Sequence, residues 1–113
     1  MSEKYNQQKC QPCEGMAAAF SVEEAQEKMR ELKIWELAED GSLIFFSLKT
    51  KNFVAAVELI GKIAELAEEH NHHPDIHLTG YKNLKVVLRT HAVGGLTNND
   101  FILAKEIERL LEK

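Results

Sequence analysis

The sequence predicts an α+β domain: a single four-stranded antiparallel sheet with three helices on one face, in the order α-β-β-α-β-β-α. Three observations predict it. Apolar residues recur at helical spacing in segments opening at Ser21, Asn52 and Thr97; apolar and polar residues alternate near residues 76–79 and 84–89; and a tight-turn dipeptide, Asp40-Gly41, separates two β-rich arms. A sheet covered on one side buries each amphipathic face once, which leaves its other face open.

The first helix begins at Ser21, where Ser21 and Glu24 form an S-x-x-E capping box and Ala25, Met29 and Leu32 follow at helical spacing to about Lys33. Residues 1–20 before it read as a tail or irregular lead-in, and 21–113 as the domain. The segment IWELAEDGSLIFFSLK then forms a hairpin about Asp40-Gly41. From Asn52 to about His70, Glu58, Lys62, Glu65 and Glu69 make one narrow polar stripe in a run of Val, Leu, Ile and Ala, the pattern of a mostly buried helix. Glu68 stands about 100° from Glu69 around the helix, at the margin of that stripe. Pro74 disfavours helical dihedrals at His73, so the helix stops before the histidines. Ile76 and Leu78 mark a third strand, and Leu84, Val86 and Leu88 a fourth whose even positions face the core. His91, with Val87, then falls on the odd, open face. Gly94-Gly95 breaks the pattern, and Thr97 to Asp100 caps a last helix with Ile102, Leu103, Ile107, Leu110 and Leu111 on its apolar face.

At 113 residues, 44% hydrophobic, the chain can form one domain with a real core. A net charge of -4 with acids and bases interspersed argues against nucleic acid as a direct partner. No stretch approaches the roughly eighteen apolar residues of a membrane span, and MSEKYNQQKC lacks a secretory apolar region, so a cytoplasmic protein is expected. Cys10 and Cys13 form a CxxC in a polar segment, without the helix start a redox dithiol needs or a second ligand pair for zinc; they read as incidental thiols, or as half of a metal site.

Residues 68–77, EEHNHHPDIH, hold four of the five histidines. Zinc ligation is disfavoured because His72 and His73 are adjacent and point apart on an extended backbone, and no H-E-x-x-H pattern exists; no metal and no cofactor are expected. Helix-terminal histidines favoured by the macrodipole account for His70 but not for a pair held before a proline. In the acid-base reading, His72 and His73 sit on a rigid turn, Glu68 reaches in from the helix, and His91 arrives from the last strand. Imidazoles titrate near neutrality and exchange protons with a substrate. With no G-x-S-x-G, no cysteine beside a histidine and no phosphate-cradling loop, the chemistry left is elimination, addition or isomerisation of a small molecule.

Glu68, three residues, His72-His73-Pro74, six residues, Tyr81, nine residues, His91, eight residues, Asp100: this spacing resembles the signature of the pterin-4a-carbinolamine dehydratases. The resemblance spans about the last ninety residues, including G-L-T-N-N-D-F before the last helix. It implies dehydration of 4a-hydroxytetrahydropterin, left by an aromatic amino acid hydroxylase such as phenylalanine hydroxylase, to quinonoid dihydropterin and water. His72 and His91 would then be general acids for departure of the 4a-hydroxyl. His73 and the Asn71 to Pro74 turn would bind the pterin, main-chain groups of Arg89, Thr90 and His91 would hydrogen-bond its ring, and Glu68 would orient a histidine. Tyr81 reads equally as a pocket wall or a strand packing residue. Asp100, the fourth residue of T-x-x-D, reads as a helix cap rather than a substrate contact, and His70 and His77 as surface residues. A homodimer or homotetramer is also implied. Two rivals remain: a dehydratase-like protein acting on another pterin, as in molybdenum cofactor metabolism, and a non-catalytic dimerisation or coactivator module.

Overall fold

The computed structural model describes residues 19–112. Helix α1 (Val22–Lys28) starts on the expected capping box, with Ser21 Oγ accepting from the Glu24 N–H at 3.1 Å and Glu24 Oε1 accepting from the Ser21 N–H at 2.8 Å. It tightens into a 3-10 turn over Met29–Glu31, so the α-helix ends short of Lys33. Cys10 and Cys13 lie outside the described residues. Phe20, assigned to the lead-in, is already fixed: its N–H donates to the Leu96 carbonyl at 2.7 Å and its ring packs on Phe101 at 5.9 Å.

Strands β1 (Glu36–Leu37), β2 (Ile44–Lys49), β3 (Asp75–Thr79) and β4 (Asn83–Leu88) form one sheet in the order β1-β2-β4-β3, antiparallel throughout. Pairing of Phe46 with Val86 and of Leu48 with Leu84 puts the even positions on one face, as the alternation requires. Ile44, Phe46, Leu84, Val86 and Leu88 are buried there in one cluster with Ala25, Ile63, Leu103 and Ile107 from the helices. No helix among the described residues packs on the odd face; Phe45 lies on it with the Lys85 ammonium 5.0 Å from its ring centre. Between β1 and β2, Gly41 adopts φ +75°, and a Cβ there would stand 2.8 Å from Val22 Cγ2. The neighbouring Asp40 accepts from the Ser42 hydroxyl at 2.7 Å and the Ser42 N–H at 3.0 Å. These bonds, the hydroxyl first, hold its carboxyl below the usual carboxylate range. Their support of the turn is therefore present at neutral pH and is lost as pH falls through that lowered pKa.

Helix α2 (Phe53–His70) is capped by Asn52, whose Oδ1 accepts from the Ala55 N–H at 2.8 Å. The expectation of a mostly buried helix is corrected: only Ala56, Ile63, Ala67 and His70 are buried, and Phe53, Val54 and Val57 are exposed. A narrow polar stripe shows what a helix avoids, not what covers it, and α2 has the sheet and α3 (Asn98–Leu111) on one side only. No helix among the described residues is long and apolar enough to cross a membrane.

The segment before β1 is strapped to α3. The buried Glu108 carboxylate accepts from the Lys33 and Ile34 N–H groups at 2.5 and 2.8 Å, and Trp35 Nε1 donates to the Ala104 carbonyl at 3.1 Å while its ring meets Phe46 edge-on at 4.7 Å. Two substitutions test these features by urea unfolding. Gly41→Ala is expected to lower stability by about 1–3 kcal/mol, from strained φ and the Val22 clash. Glu108→Ala, which orphans two main-chain donors, is expected to lower it by about 2–3 kcal/mol.

Candidate active site

The histidine turn is set by how α2 ends. Asn71 takes the left-handed conformation, φ 54°, which asparagine tolerates better than other side-chain-bearing residues. The His72 N–H then reaches back to the Ala67 carbonyl at 3.1 Å, closing the helix. Pro74 keeps the next residues out of helix, and β3 begins directly after it. On this short path adjacent side chains diverge: His72 is 5% exposed, whereas the His73 side chain is 56% exposed.

Each of the two imidazoles has its own carboxylate. His73 Nε2 lies 2.8 Å from Glu68 Oε2, so Glu68 does face a histidine. Glu68 is nevertheless 78% exposed rather than at a buried boundary, and such a pair contributes under about 1 kcal/mol. His72 Nε2 lies 2.7 Å from Asp100 Oδ1, and Asp100 is fully buried. The other oxygen, Oδ2, accepts from the Thr97 N–H at 2.9 Å and from the Thr90 hydroxyl at 2.8 Å; Thr90 and Thr97 hydroxyls are themselves 2.8 Å apart. Asp100 thus caps α3, as read from T-x-x-D, and also fixes His72, which that reading did not include. This bond occupies Nε2 of His72 and leaves Nδ1 as its other ring nitrogen, on a side chain that lines a pocket with His91.

The second half of the site comes from the chain after β4. The strand ends at Leu88; the Thr90 N–H donates to the Gly95 carbonyl at 2.7 Å and the Gly95 N–H to the Thr90 carbonyl at 3.3 Å, pinching off a loop. His91 therefore stands at the start of a 3-10 turn (His91–Val93), not on the strand, and Gly94 at φ 69° lets that turn close. This brings His91 to His72 and His73: Asn71, His72, His73, Arg89, His91 and Ala92 line one pocket of about 200 Å³. Thr90, proposed to hydrogen-bond a ligand, has its main chain bound to Gly95 and its hydroxyl to Asp100; it supports the site from behind.

Other expectations separate. Tyr81 is 58% exposed at φ 58° in the β3–β4 turn. It is neither a strand packing residue nor part of this pocket, since the five residues of β3 put it roughly 16 Å from the turn at His72. His70 is buried, 7% exposed with Nδ1 unpartnered, so its surface assignment is corrected: the last turn of α2 rotates it inward. His77 is exposed on the open sheet face. What the pocket offers chemically is three imidazoles, two of them oriented by carboxylates, beside an arginine. The described residues contain no group of three or more His, Cys, Asp or Glu side chains placed to hold a metal ion.

The family model described as pterin 4 alpha carbinolamine dehydratase matches residues 18–110. Pterin-4-alpha-carbinolamine dehydratase 2, mitochondrial, from Arabidopsis thaliana is 39% identical over 90% of this chain, which spans only 56% of that protein's length. A Legionella pneumophila (strain Corby) protein, named provisionally for the same activity, is 38% identical over 98% of both chains. The crystal structure of a transcriptional coactivator/pterin dehydratase from Brucella melitensis superposes with a TM-score of 0.73 at 28% identity, covering 81% of this chain and 97% of the other.

The buried network makes a stability prediction. Asp100→Ala removes the α3 cap and leaves Thr90, the Thr97 N–H and His72 without their shared acceptor. Urea unfolding is expected to show a loss of about 3 kcal/mol; a loss below about 1 kcal/mol would mean that water replaces the carboxylate and the network is not structural.

Proposed function

This chain belongs to the pterin 4 alpha carbinolamine dehydratase family, and we propose that it dehydrates 4a-hydroxytetrahydropterin to quinonoid dihydropterin and water by histidine acid-base catalysis. The observation that carries this reading is the convergence of His72, His73 and His91 on one pocket from two distant segments. The elimination breaks the C4a–O bond, sends the hydroxyl away with an added proton as water, and releases a proton from the neighbouring ring nitrogen as the C=N bond forms. No nucleophile and no redox partner is required, which matches a site made of proton carriers.

In this mechanism His72 and His91 act as general acids toward the departing hydroxyl. A protonated His72 keeps one N–H on Asp100 and presents the other to the pocket; after giving that proton up it can recover one from the ring nitrogen or from water. His73, oriented by Glu68, binds the pterin together with Asn71 and the turn before Pro74. Main-chain groups of Arg89 and His91 complete the ring contacts. A pocket of about 200 Å³ grips one end of such a molecule and leaves its side chain outside. The substrate would come from an aromatic amino acid hydroxylase, phenylalanine hydroxylase in particular, so the enzyme recycles pterin; the cytoplasm is the proposed location, with the mitochondrial Arabidopsis relative as the contrary case.

Self-association is part of the same proposal. Phe53, Val54 and Val57 expose an apolar stripe on α2 that nothing among the described residues covers, the kind of surface that marks an interface. That stripe, and the pairing of coactivator with pterin dehydratase in the name of the Brucella relative, also favour a second reading in which this face docks a protein partner. The catalytic reading is tested directly. His72→Ala and His91→Ala are each expected to slow carbinolamine decay by about 100-fold or more without loss of fold. Wild-type rates in both variants would reject histidine catalysis.

A further inference from the structure

A second and roomier cavity, about 600 Å³ against about 200 Å³ for the histidine pocket, opens on the uncovered face of the sheet at its other end. Strand register arranges its side chains in two cross-strand rows: Ser47, Lys85 and His77 in one, Lys49, Asn83 and Thr79 in the next. These residues supply two ammonium groups, an imidazole, an amide and two hydroxyls, all able to donate hydrogen bonds to one bound group. All six are exposed, and no hydrogen bond or ion pair within the described residues engages their side chains; Lys85 alone has a contact, with the Phe45 ring. No carboxylate lines the cavity. The nearest on this face along β3 is Asp75, two residues from His77 and opposite Val87.

This concentration of unspent cations is local, because the chain as a whole carries a charge of -4. Lys85 directly faces His77 across the β3–β4 ladder, so an ammonium and an imidazole, both able to donate to one bound anion, stand side by side. Two lysines are too few to neutralise a nucleic-acid backbone. The volume falls in the range of small-molecule sites, roughly 300–1,000 Å³, leaving space for more than a bare ion. We propose that this end of the open face is a binding site for a small phosphate monoester, with Lys49, Lys85 and His77 around the phosphate and the hydroxyls and amide completing its hydrogen bonds. Strand geometry puts Lys85 four residues, about 13 Å, from Arg89 at the histidine pocket, so the site is separate from the proposed dehydration site and does not depend on that reading.

Calorimetric titration of the full chain with inorganic phosphate and with adenosine 5′-monophosphate tests the proposal, alongside an acidic peptide lacking phosphate. Both phosphates are expected to bind at low ionic strength, the monoester more tightly, and both to weaken in high salt. The doubly substituted Lys49→Gln, Lys85→Gln protein is expected to lose about tenfold or more in affinity for both, with its thermal unfolding unchanged. The proposal is overturned if the wild type shows no binding at up to about 10 mM ligand, if the double variant binds equally well, or if only the acidic peptide binds.

Discussion

The fold and the candidate site are joined at one buried carboxylate. A carboxylate without partners in a protein interior is strongly unfavourable, and Asp100, with no exposure at all, is tolerated because the Thr97 N–H, the Thr90 hydroxyl and His72 converge on it at the positive end of α3. Those three partners belong to different pieces of the chain: the start of α3, the exit of β4 and the turn after α2. The position of His72 is therefore not a property of its own turn. It follows from α3 docking with its first turn against the end of the sheet.

The rest of the molecule divides by which surfaces that docking covers. Helices close over the even face of the sheet, where Phe46, Leu84 and Val86 meet Ile63 and Leu103 in a continuous core. Among the described residues no helix packs on the odd face, and both cavities of interest open near chain segments that the helices leave uncovered. At one end lie the imidazoles, in a pocket with an arginine; at the other lie two lysines with an imidazole. The Glu108 and Trp35 contacts to the segment before β1 do for the far end of α3 what Asp100 does for its beginning. Both ends of that helix are thus held by polar bonds that would be costly to break in a dry interior.

Much of this was readable in the residues. Capping boxes at Ser21 and Thr97, the Asp40-Gly41 turn and the alternation of Leu84, Val86 and Leu88 are local signals with local causes, and each element appears where they put it. The pairing of Glu68 with a histidine was legible because both lie within two turns of one helix end. Burial was less legible. The apolar run of α2 says that one side avoids water but not that Phe53, Val54 and Val57 lack a cover among the described residues, and the inward turn of His70 depends on helix phase at its last residue. The bond between His72 and Asp100 spans 28 residues. Its only trace in the sequence is that a T-x-x-D box uses one carboxylate oxygen and leaves the other unassigned. Tyr81 shows the opposite limit: spacing put it near the histidines in sequence, and the length of β3 carries it away.

The contrast between adjacent His72 and His73 has a consequence for how this turn can change over evolutionary time. The left-handed Asn71 and the stiff Pro74 leave a span of two residues in which one imidazole points inward to Asp100 and the next outward to Glu68. Replacing a side chain there alters one partner. Inserting or deleting a single residue would exchange the two surroundings, setting the solvent-facing histidine against the buried carboxylate and the other against water. Drift in this segment should therefore proceed by substitution at constant length, with the distance from the end of α2 to the proline as the quantity under selection.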